Sequence, residues 1–350
     1  MRRMNDRKYS IIVVCVLYAC LFSVALLNFV VDPFYIFRTP FLKVRPQIND
    51  RYDKITFLEK NKKNFNSYIM GSSRMLSTHP VNIERYVPGA KFYNFSIVMG
   101  TVYDHYMHLN YFINKGYPVR CLYIGLDIDF CFLTTKYHEK DSLFRLHPDV
   151  SNESRCGYYW FYLSILPKGD LRRKLKWNLS RKKMPSQEYG KDGGSKPETE
   201  DKRIFEERRE FGAGMIHNKV GNENIKILRK MVALCRQHGI QLIMIVNPPS
   251  RIAMDHYEED DYLAFLKELA DVAPFWDFSG YNSITTNLQN YIDHAHYKSS
   301  ISRLMAARIF SDKTLTVPRD FGVWVTKENI DSHLESLKMT IKKNREKTGV

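Results

Sequence analysis

Residues 224–249 read NIKILRKMVALCRQHGIQLIMIVNPP, and this stretch decides the fold. Apolar side chains recur at helical spacing from Ile225 to Cys235, and Gly239 supplies a helix C-terminal stop. A run at residues 240–246 that is apolar except for Gln241 follows at once and ends in Asn-Pro-Pro. A helix that leads directly into a largely apolar strand predicts a parallel sheet, because such strands are buried on both faces.

The same alternation extends in both directions along the chain. A short apolar run at residues 67–70 predicts a buried strand, and residues 91–95 and 119–128 are further candidates for buried strands. A helix at residues 261–273 and a strand at residues 275–278 follow on the other side. Strands that alternate with amphipathic helices are typical of a sheet covered by helices on both faces. The predicted fold is therefore α/β, a three-layer α/β/α sandwich with a central parallel sheet.

An uncharged apolar run near the N-terminus, residues 10–31, predicts a transmembrane anchor. At about 1.5 Å per residue, a helix of this length spans the roughly 30 Å of bilayer hydrocarbon. Basic residues precede the run, so we expect residues 1–9 to form a cytoplasmic tail and the C-terminal domain to be periplasmic or extracellular. A cleaved signal peptide is the alternative. It fits less well, because signal sequences have shorter apolar regions of about 7–15 residues and end in a small-x-small site.

The remaining chain divides into a juxtamembrane stalk at residues 32–56 and one large domain at residues 57–350. Within that domain, residues 180–203 are rich in Gly, Pro, Ser and charge, with few large apolar side chains. Such a segment buries too little apolar surface to offset its ordering entropy, so a flexible insertion is predicted. A domain boundary at the same place is the alternative.

The net charge of the chain limits the classes of partner that this external domain can bind. The chain carries a formal net charge of +15. A basic balance of this size fits nucleic acid, an anionic membrane surface or an anionic cell-wall polymer. The predicted location outside the cytoplasm excludes nucleic acid and favours the other two.

Cysteine and histidine usage predicts neither a metal nor a cofactor. Two of the six cysteines, Cys15 and Cys20, lie in the predicted anchor. The other four lie outside, where one disulfide is an open alternative: Cys121, Cys131, Cys156 and Cys235. Their spacings match no zinc site. His294 and His296 offer half of a metal pair, but no further ligand cluster in the sequence completes it.

The sequence Gly71-Ser72-Ser73 stands directly after the predicted strand at residues 67–70. A serine on a tight strand-to-helix turn is presented at the carboxyl edge of the sheet, where open α/β folds place their sites. The neighbouring glycine lets the backbone turn sharply. The alternative for the serines is a helix N-cap, which Ser also favours.

A second motif, Asp293-His294-Ala295-His296, precedes a predicted amphipathic helix at residues 299–310. An Asp and a His three residues apart on a loop can lie close together, so that the carboxylate orients the imidazole. A base held in this way, within reach of a serine hydroxyl, activates a nucleophile. Taken singly, the Asp is also explained as a helix cap and the His as a surface residue.

Together these motifs resemble the SGNH (GDSL-type) hydrolase superfamily, which carries Gly-Asp-Ser or Gly-Ser-Ser after its first strand and a late Asp-x-x-His. The resemblance implies that Ser73 is the nucleophile, His296 the general base and Asp293 its orienter. The stretch from Asn94 to Gly100, NFSIVMG, resembles the second family block. It implies that the backbone N–H groups of Gly100 and Ser73 form an oxyanion hole.

One departure from the family pattern lies at the end of the strand predicted at residues 119–128. The family usually has an Asn there that donates to the oxyanion, whereas this chain has Asp127. An ionised carboxylate cannot donate, so we expect Asp127 to hold a loop or a sugar hydroxyl. The side chain of Asn94 is the substitute donor that the sequence offers.

The layout is similar to that of membrane-anchored SGNH-like proteins of cell-envelope acylation, including the D-alanyl transfer protein of teichoic-acid D-alanylation. His79-Pro80 follows the Gly-Ser-Ser turn as it does there, but Arg74 replaces the Glu of that protein. The resemblance implies an extracytoplasmic serine esterase or O-acyltransferase that acts on an acylated envelope polysaccharide. It also implies a membrane-bound O-acyltransferase as partner.

Two other classes of function remain open from the sequence. An inactive SGNH fold would bind glycan or act as a scaffold in an envelope acylation system. A type II membrane glycosyltransferase would use an Asp-x-Asp metal motif, which Asp127-Ile128-Asp129 matches. The glycosyltransferase hypothesis leaves the serine and histidine motifs unexplained.

Overall fold

A computed structural model describes seven stretches of the chain: residues 6–32, 34–39, 49–129, 131–132, 143–164, 191–194 and 222–348. These residues form two compact units. The first contains the described residues up to 57 together with residues 143–164. The second contains all the other described residues.

The described residues contain eleven α-helices and six strands. The helices are α1 (Asp6–Val31), α2 (Asp50–Asn61), α3 (Pro80–Glu84), α4 (Val102–Asn114), α5 (Pro148–Ser151), α6 (Arg155–Leu163), α7 (Asn222–Gln237), α8 (Arg251–Asp255), α9 (Glu259–Ala270), α10 (Ser299–Ile309) and α11 (Ile330–Thr348). The strands are β1 (Ser67–Met70), β2 (Phe92–Asn94), β3 (Cys121–Leu126), β4 (Gln241–Val246), β5 (Phe275–Asp277) and β6 (Val323–Val325).

The strands form one mixed sheet in the order β2-β1-β3-β4-β5-β6. The first five strands of this order are parallel, whereas β6 pairs antiparallel with β5. The predicted α/β class is confirmed, and the sheet is parallel except at this edge. β6 was not predicted, because three residues at an edge carry too short a pattern to be recognised, and an antiparallel edge strand is compatible with an otherwise parallel sheet.

Helices contact the sheet from two sides, as alternate side chains of β1 show. Ile69 is paired in register with Tyr123 of β3, and both belong to a buried cluster that includes Met305 of α10. The next side chain on β1, Tyr68, stacks on Phe112 of α4 with ring centroids 4.5 Å apart. Successive strand side chains point to opposite faces, so these two helices cover different faces of β1.

Helix α1 is long and apolar enough to cross a membrane. It contains the predicted anchor at residues 10–31. Its most apolar window has a mean hydropathy of 2.8, and none of that window is buried within the described protein. This result concerns length and composition only, and a signal sequence near the N-terminus would meet the same criterion.

The predicted single domain at residues 57–350 differs from the observed grouping in one respect. Residues 143–164 pack with the N-terminal unit. The contact is aromatic, because Tyr158 and Tyr162 of α6 share a buried cluster with Phe34 and Tyr52. The alternation of strands and helices in the sequence does not predict this packing, because the aromatic residues that contact one another are far apart along the chain.

Most of the predicted flexible insertion, residues 180–190 and 195–203, lies outside the described residues. The four described residues, 191–194, lie on the outer edge of β2, where the N–H of Asn94 donates to the carbonyl of Asp192 at 2.7 Å. Gly193 has a φ of +82°, and a Cβ there would collide with the carbonyl oxygen of Asn94. This short part is docked through its backbone, which is why a scarcity of apolar side chains did not reveal the contact.

All six cysteines lie in the described residues and are free thiols. The disulfide that the sequence left open is therefore not formed. Burial raises the pKa of the Cys121 thiol to about 12, and that of Cys235 likewise to about 12.

Candidate active site

The turn that carries Ser72 and Ser73 begins where β1 ends. Gly71 has a φ of +144°, and a Cβ at this position would lie 2.7 Å from the carbonyl oxygen of Gly125 on β3. Only glycine fits such a close approach of two backbones. Ser72 then caps a short 3₁₀ helix, Ser73–Ser77, so Ser73 is the first helical residue at the carboxyl edge of the sheet.

The structure brings together the three residues predicted to form a triad. The Ser73 Oγ lies 2.9 Å from His296 Nε2. The other ring nitrogen, Nδ1, lies 2.8 and 3.0 Å from the two carboxylate oxygens of Asp293. A carboxylate only accepts hydrogen bonds, so Nδ1 carries the proton and Nε2 is left to accept from the serine hydroxyl. Asp293 is buried, whereas 26% of the His296 side chain is exposed.

The Asp and His meet because the loop that carries them is closed on itself. Tyr291 and Tyr297 form an antiparallel bridge, and the N–H of Ile292 donates to the carbonyl of His296 at 2.8 Å. Asp293 Oδ1 also accepts the backbone N–H of His296 at 2.9 Å. The carboxylate therefore holds both the backbone and the ring of the same histidine.

Two side chains from elsewhere in the fold hold this loop in place. The hydroxyl of Ser250, the N-cap of α8, donates to the carbonyl of His294 at 2.7 Å. The Nε of Arg74 donates to the carbonyl of Ala295 at 3.0 Å. The histidine is thus positioned from both sides of the loop, which lowers the entropy lost on reaching a reactive geometry.

Arg74, the residue after Ser73, is the centre of a buried charge cluster. Its guanidinium donates to both carboxylate oxygens of Asp129 at 2.8 and 2.7 Å and lies 2.9 Å from an Asp127 oxygen. The hydroxyl of Tyr257 donates to Asp129 at 2.9 Å. Burial by itself would lower the pKa of Arg74, but Asp129, Tyr257 and Asp127 together raise it, so the guanidinium stays charged.

The neighbouring serine has a different role. Ser72 is fully buried, and its hydroxyl donates to Asp127 at 2.5 Å. Asp127 also accepts from the side-chain amide of Asn247 at 3.0 Å. Because the Ser72 hydroxyl is committed to a carboxylate, Ser73 is the serine available for chemistry. Asp127 therefore holds the turn that carries Ser72, which matches the first of its two predicted roles, to hold a loop or a sugar hydroxyl.

Two of the three predicted oxyanion-hole donors are engaged elsewhere. The Gly100 N–H donates to the carbonyl of Ile97 at 2.9 Å. The amide nitrogen of Asn94 donates to the carbonyls of Met75 and Thr78 at 2.8 and 2.9 Å. Asn94 therefore stabilises the turn after Ser73, and its amide protons are engaged there.

Gly100 matters through its size, because a Cβ there would lie 2.9 Å from the carbonyl oxygen of Gly71. The lack of a side chain at Gly100 lets the loop after β2 approach the turn that carries Ser73. The third predicted donor, the N–H of Ser73, lies at the start of the 3₁₀ helix. The first N–H groups of a helix have no partner within the helix, so this donor suits an oxyanion.

The residues that hold the triad carry little signal in the sequence. Arg74 stands out there only as a departure from the D-alanyl transfer protein, and no motif singles out Ser250, Asn247 or Tyr257. The sequence does contain a signal for one of these contacts, the ion pairs of Arg74 with two carboxylates. Two carboxylates at the end of a fully apolar strand, Asp127-x-Asp129, need a buried cation, and Arg74 at the end of the neighbouring strand supplies it.

Comparison with known proteins adds little to this geometry. A protein-family model without a functional description matches residues 217–313. That region includes Asp293 and His296 but not Ser73, and it is less than half of the chain. No curated protein matches the chain in sequence.

Proposed function

We propose that this protein is a membrane-anchored, extracytoplasmic serine esterase or O-acyltransferase of the SGNH type. The observation that carries the proposal is the unbroken hydrogen-bond chain from Ser73 through His296 to Asp293. A serine hydroxyl, an imidazole and a buried carboxylate in this order are the parts of an activated oxygen nucleophile.

The fold supports the SGNH assignment. The nucleophile follows the first strand of a largely parallel sheet, and the Asp-x-x-His motif immediately precedes α10. Helices α4 and α10 lie against opposite faces of β1, an arrangement that agrees with a three-layer α/β/α sandwich. The site lies at the carboxyl edge of the strands, where α/β folds place their catalytic groups.

The proposed reaction proceeds through an acyl-enzyme. The Ser73 oxygen bonds to the carbonyl carbon of an ester while its proton passes to His296 Nε2. The resulting oxyanion accepts a hydrogen bond from the Ser73 N–H, and Asp293 stabilises the imidazolium. As the intermediate collapses, the ester C–O bond breaks and His296 protonates the departing alcohol.

The second half of the reaction decides between esterase and transferase. Water or a sugar hydroxyl attacks the acyl carbon, and His296 accepts the proton that the attacking oxygen loses. The bond between the acyl group and Ser73 then breaks, and His296 returns the proton to the serine oxygen. Water releases a free acid, and a sugar hydroxyl gives a new ester on the acceptor.

The charge cluster argues against the glycosyltransferase alternative. In that hypothesis Asp127 and Asp129 would hold a metal with a nucleotide sugar. In the folded chain both carboxylates contact the guanidinium of Arg74, which is fully buried. A metal would have to displace a buried cation that is bound on several sides, at a large electrostatic cost.

The proposed substrate is an acylated polysaccharide of the cell envelope. The net charge of +15 suits an anionic polymer or membrane surface, and α1 supplies an anchor beside the envelope. The resemblance to envelope acylation proteins adds a membrane-bound O-acyltransferase as the proposed partner. We place the N-terminus in the cytoplasm and the catalytic domain outside it, in line with the basic residues before α1.

Labelling with a fluorophosphonate tests the proposal directly. The full chain in detergent is treated with the probe, digested, and the modified peptide is located by mass spectrometry. We expect the label on Ser73 and its loss in Ser73→Ala, because the probe reacts only with an activated serine. Ser332→Ala, which removes an exposed hydroxyl on α11, is the matched control and should label normally.

Equal labelling of the wild-type chain and Ser73→Ala would overturn the catalytic proposal. A folded wild-type chain that never reacts would do the same, and would leave an inactive SGNH fold that binds glycan or acts as a scaffold.

A further inference from the structure

Helix α6 in the first unit has an exposed face on which Trp160 is the one large aromatic side chain. Its sequence is RCGYYWFYL. Tyr158 and Tyr162 point into a buried cluster with Phe34 and Tyr52. Trp160 lies on the other side, and 58% of it is exposed. The remaining exposed residues of that face after Arg155 are uncharged, namely Cys156 and Gly157.

The C-terminal end of α6 is attached to the end of the membrane-spanning candidate α1. The side-chain amide of Asn28 donates to the carbonyls of Leu163 and Ser164 at 3.2 and 2.7 Å. These carbonyls lie at the last turn of α6, where carbonyl groups have no N–H partner within the helix. Asn28 lies one turn before the end of α1 at Val31, so α6 meets α1 at the edge of its apolar run.

Aromatic rings connect the two helices. Phe29 of α1 is 39% exposed, and its ring centroid lies 5.4 Å from that of Phe37. The Phe37 ring lies 6.0 Å from Tyr159 of α6. Rings in contact therefore lead from the exposed apolar surface of α1 to α6.

We propose that α6 lies in the headgroup region of the bilayer that α1 crosses, with Trp160 inserted among the lipids. Trp160 is four residues before Ser164, about 6 Å along the helix from the α1 contact. Tryptophan and tyrosine are enriched at this depth of a membrane, because their rings are apolar and one end is polar. Because rings in contact connect α6 to the end of α1, lipid is the partner that we assign to the exposed face of α6.

This arrangement gives the first unit two attachments to the membrane, one that crosses it and one that lies on it. The second attachment would limit rotation of the unit about the axis of α1. The inference depends on α1 spanning a bilayer and does not depend on the catalytic activity proposed above.

Fluorescence quenching by lipid tests the inference in the full chain. The chain has four tryptophans, so a variant that keeps only Trp160 carries Trp177→Phe, Trp276→Phe and Trp324→Phe. It is placed in nanodiscs made either from ordinary phosphatidylcholine or from the same lipid brominated at positions 6 and 7 of one acyl chain. We expect brominated lipid to lower the Trp160 emission at least twofold, and acrylamide in the water to quench it weakly.

The matched control introduces Phe29→Trp into a chain whose four native tryptophans are all phenylalanine. It reports a position at the end of α1 and should be quenched by brominated lipid to a similar extent. If the multiple replacements unfold the second unit, the wild-type chain is compared with Trp160→Phe alone, and the single variant should lose a lipid-quenched component of the emission.

The inference is wrong if Phe29→Trp is quenched by brominated lipid while Trp160 responds only to acrylamide. It also fails if neither position responds, since α1 would then not lie in the bilayer. Fluorophosphonate labelling of the same nanodiscs reports separately on Ser73, so failure of the membrane contact and failure of the catalytic proposal can be told apart.

Discussion

Two charged clusters meet at the carboxyl edge of the sheet, and they differ in what surrounds them. In the triad, Asp293 holds His296 and the histidine side chain remains 26% exposed, so its outer nitrogen can serve a reactive group. In the other cluster, Arg74 and its carboxylate partners Asp127 and Asp129 are buried and bonded to one another. One cluster therefore has a member that a ligand could reach, whereas the members of the other contact one another and are buried.

The largest effect should come from breaking the triad. Ser73→Ala and His296→Ala should each lower the rate of ester cleavage by about 10⁴–10⁶-fold, because the two residues act as one unit. The rate is measured with a nitrophenyl ester and the folded full chain. The double variant should be little slower than either single one. Losses that multiply in the double variant would show that the two side chains act independently.

Asp293→Asn should have a smaller effect on the same rate. The amide keeps the shape of the carboxylate but cannot hold the tautomer or stabilise the imidazolium. We expect the loss to be about 10–100-fold less than that of His296→Ala. A loss as large as that of His296→Ala, in a chain that melts normally, would mean that Asp293 takes a more direct part in the reaction.

Arg74→Met should act mainly on stability. Removing the guanidinium leaves Asp127 and Asp129 buried without their cation, which costs about 3–5 kcal/mol in the free energy of unfolding. Urea denaturation of the second unit measures the loss. Combining Arg74→Met with Asp127→Asn and Asp129→Asn should restore part of the stability, because no buried charge is then uncompensated. An unchanged midpoint in Arg74→Met would show that the cluster is not a stabilising element.

The two adjacent serines provide a smaller test of the same contrast. Ser72→Ala removes a buried hydrogen bond to Asp127 and should cost about 1–3 kcal/mol of unfolding free energy. Its rate of ester cleavage should fall only mildly, whereas Ser73→Ala should lose the rate and keep the stability. The opposite ranking, with Ser72 essential for the reaction and Ser73 dispensable, would mean that Ser72 is the nucleophile.

The smallest expected effect concerns another His–Asp pair in the second unit. His333 Nε2 lies 2.7 Å from Asp277, and both are largely buried. Burial alone lowers the pKa of His333, but the hydrogen bond and charge of Asp277 raise it above the usual 6.5. The stabilisation is therefore fully present below about pH 6.5 and is lost as the pH rises through the higher pKa of the folded state.

Thermal unfolding at pH 6 and pH 8.5 tests whether stability falls as the pH rises. The wild-type chain should lose more stability over that interval than His333→Gln, which keeps a polar group without the titrating imidazole. Parallel losses in both chains would show that another group is responsible for the pH dependence.

Local patterns in the sequence determined much of this protein. The apolar runs predicted β1, β3 and β4, because a strand buried on both faces must be apolar throughout. The uncharged run at residues 10–31 predicted a helix able to span a bilayer. The pairing of Asp293 with His296 was predictable because three residues of a loop keep them close.

The tertiary structure alone decided which polar groups remain available. Gly100 and Asn94 were predicted as oxyanion donors from their positions in a motif, but Ile97, Met75 and Thr78 accept their protons. The partners of Arg74, the hydrogen bond that commits the Ser72 hydroxyl to Asp127 and the antiparallel edge strand emerged only in the folded chain. The physical reason is that buried donors and acceptors compete for partners across the whole structure, whereas sequence periodicity reports only which side chains are buried.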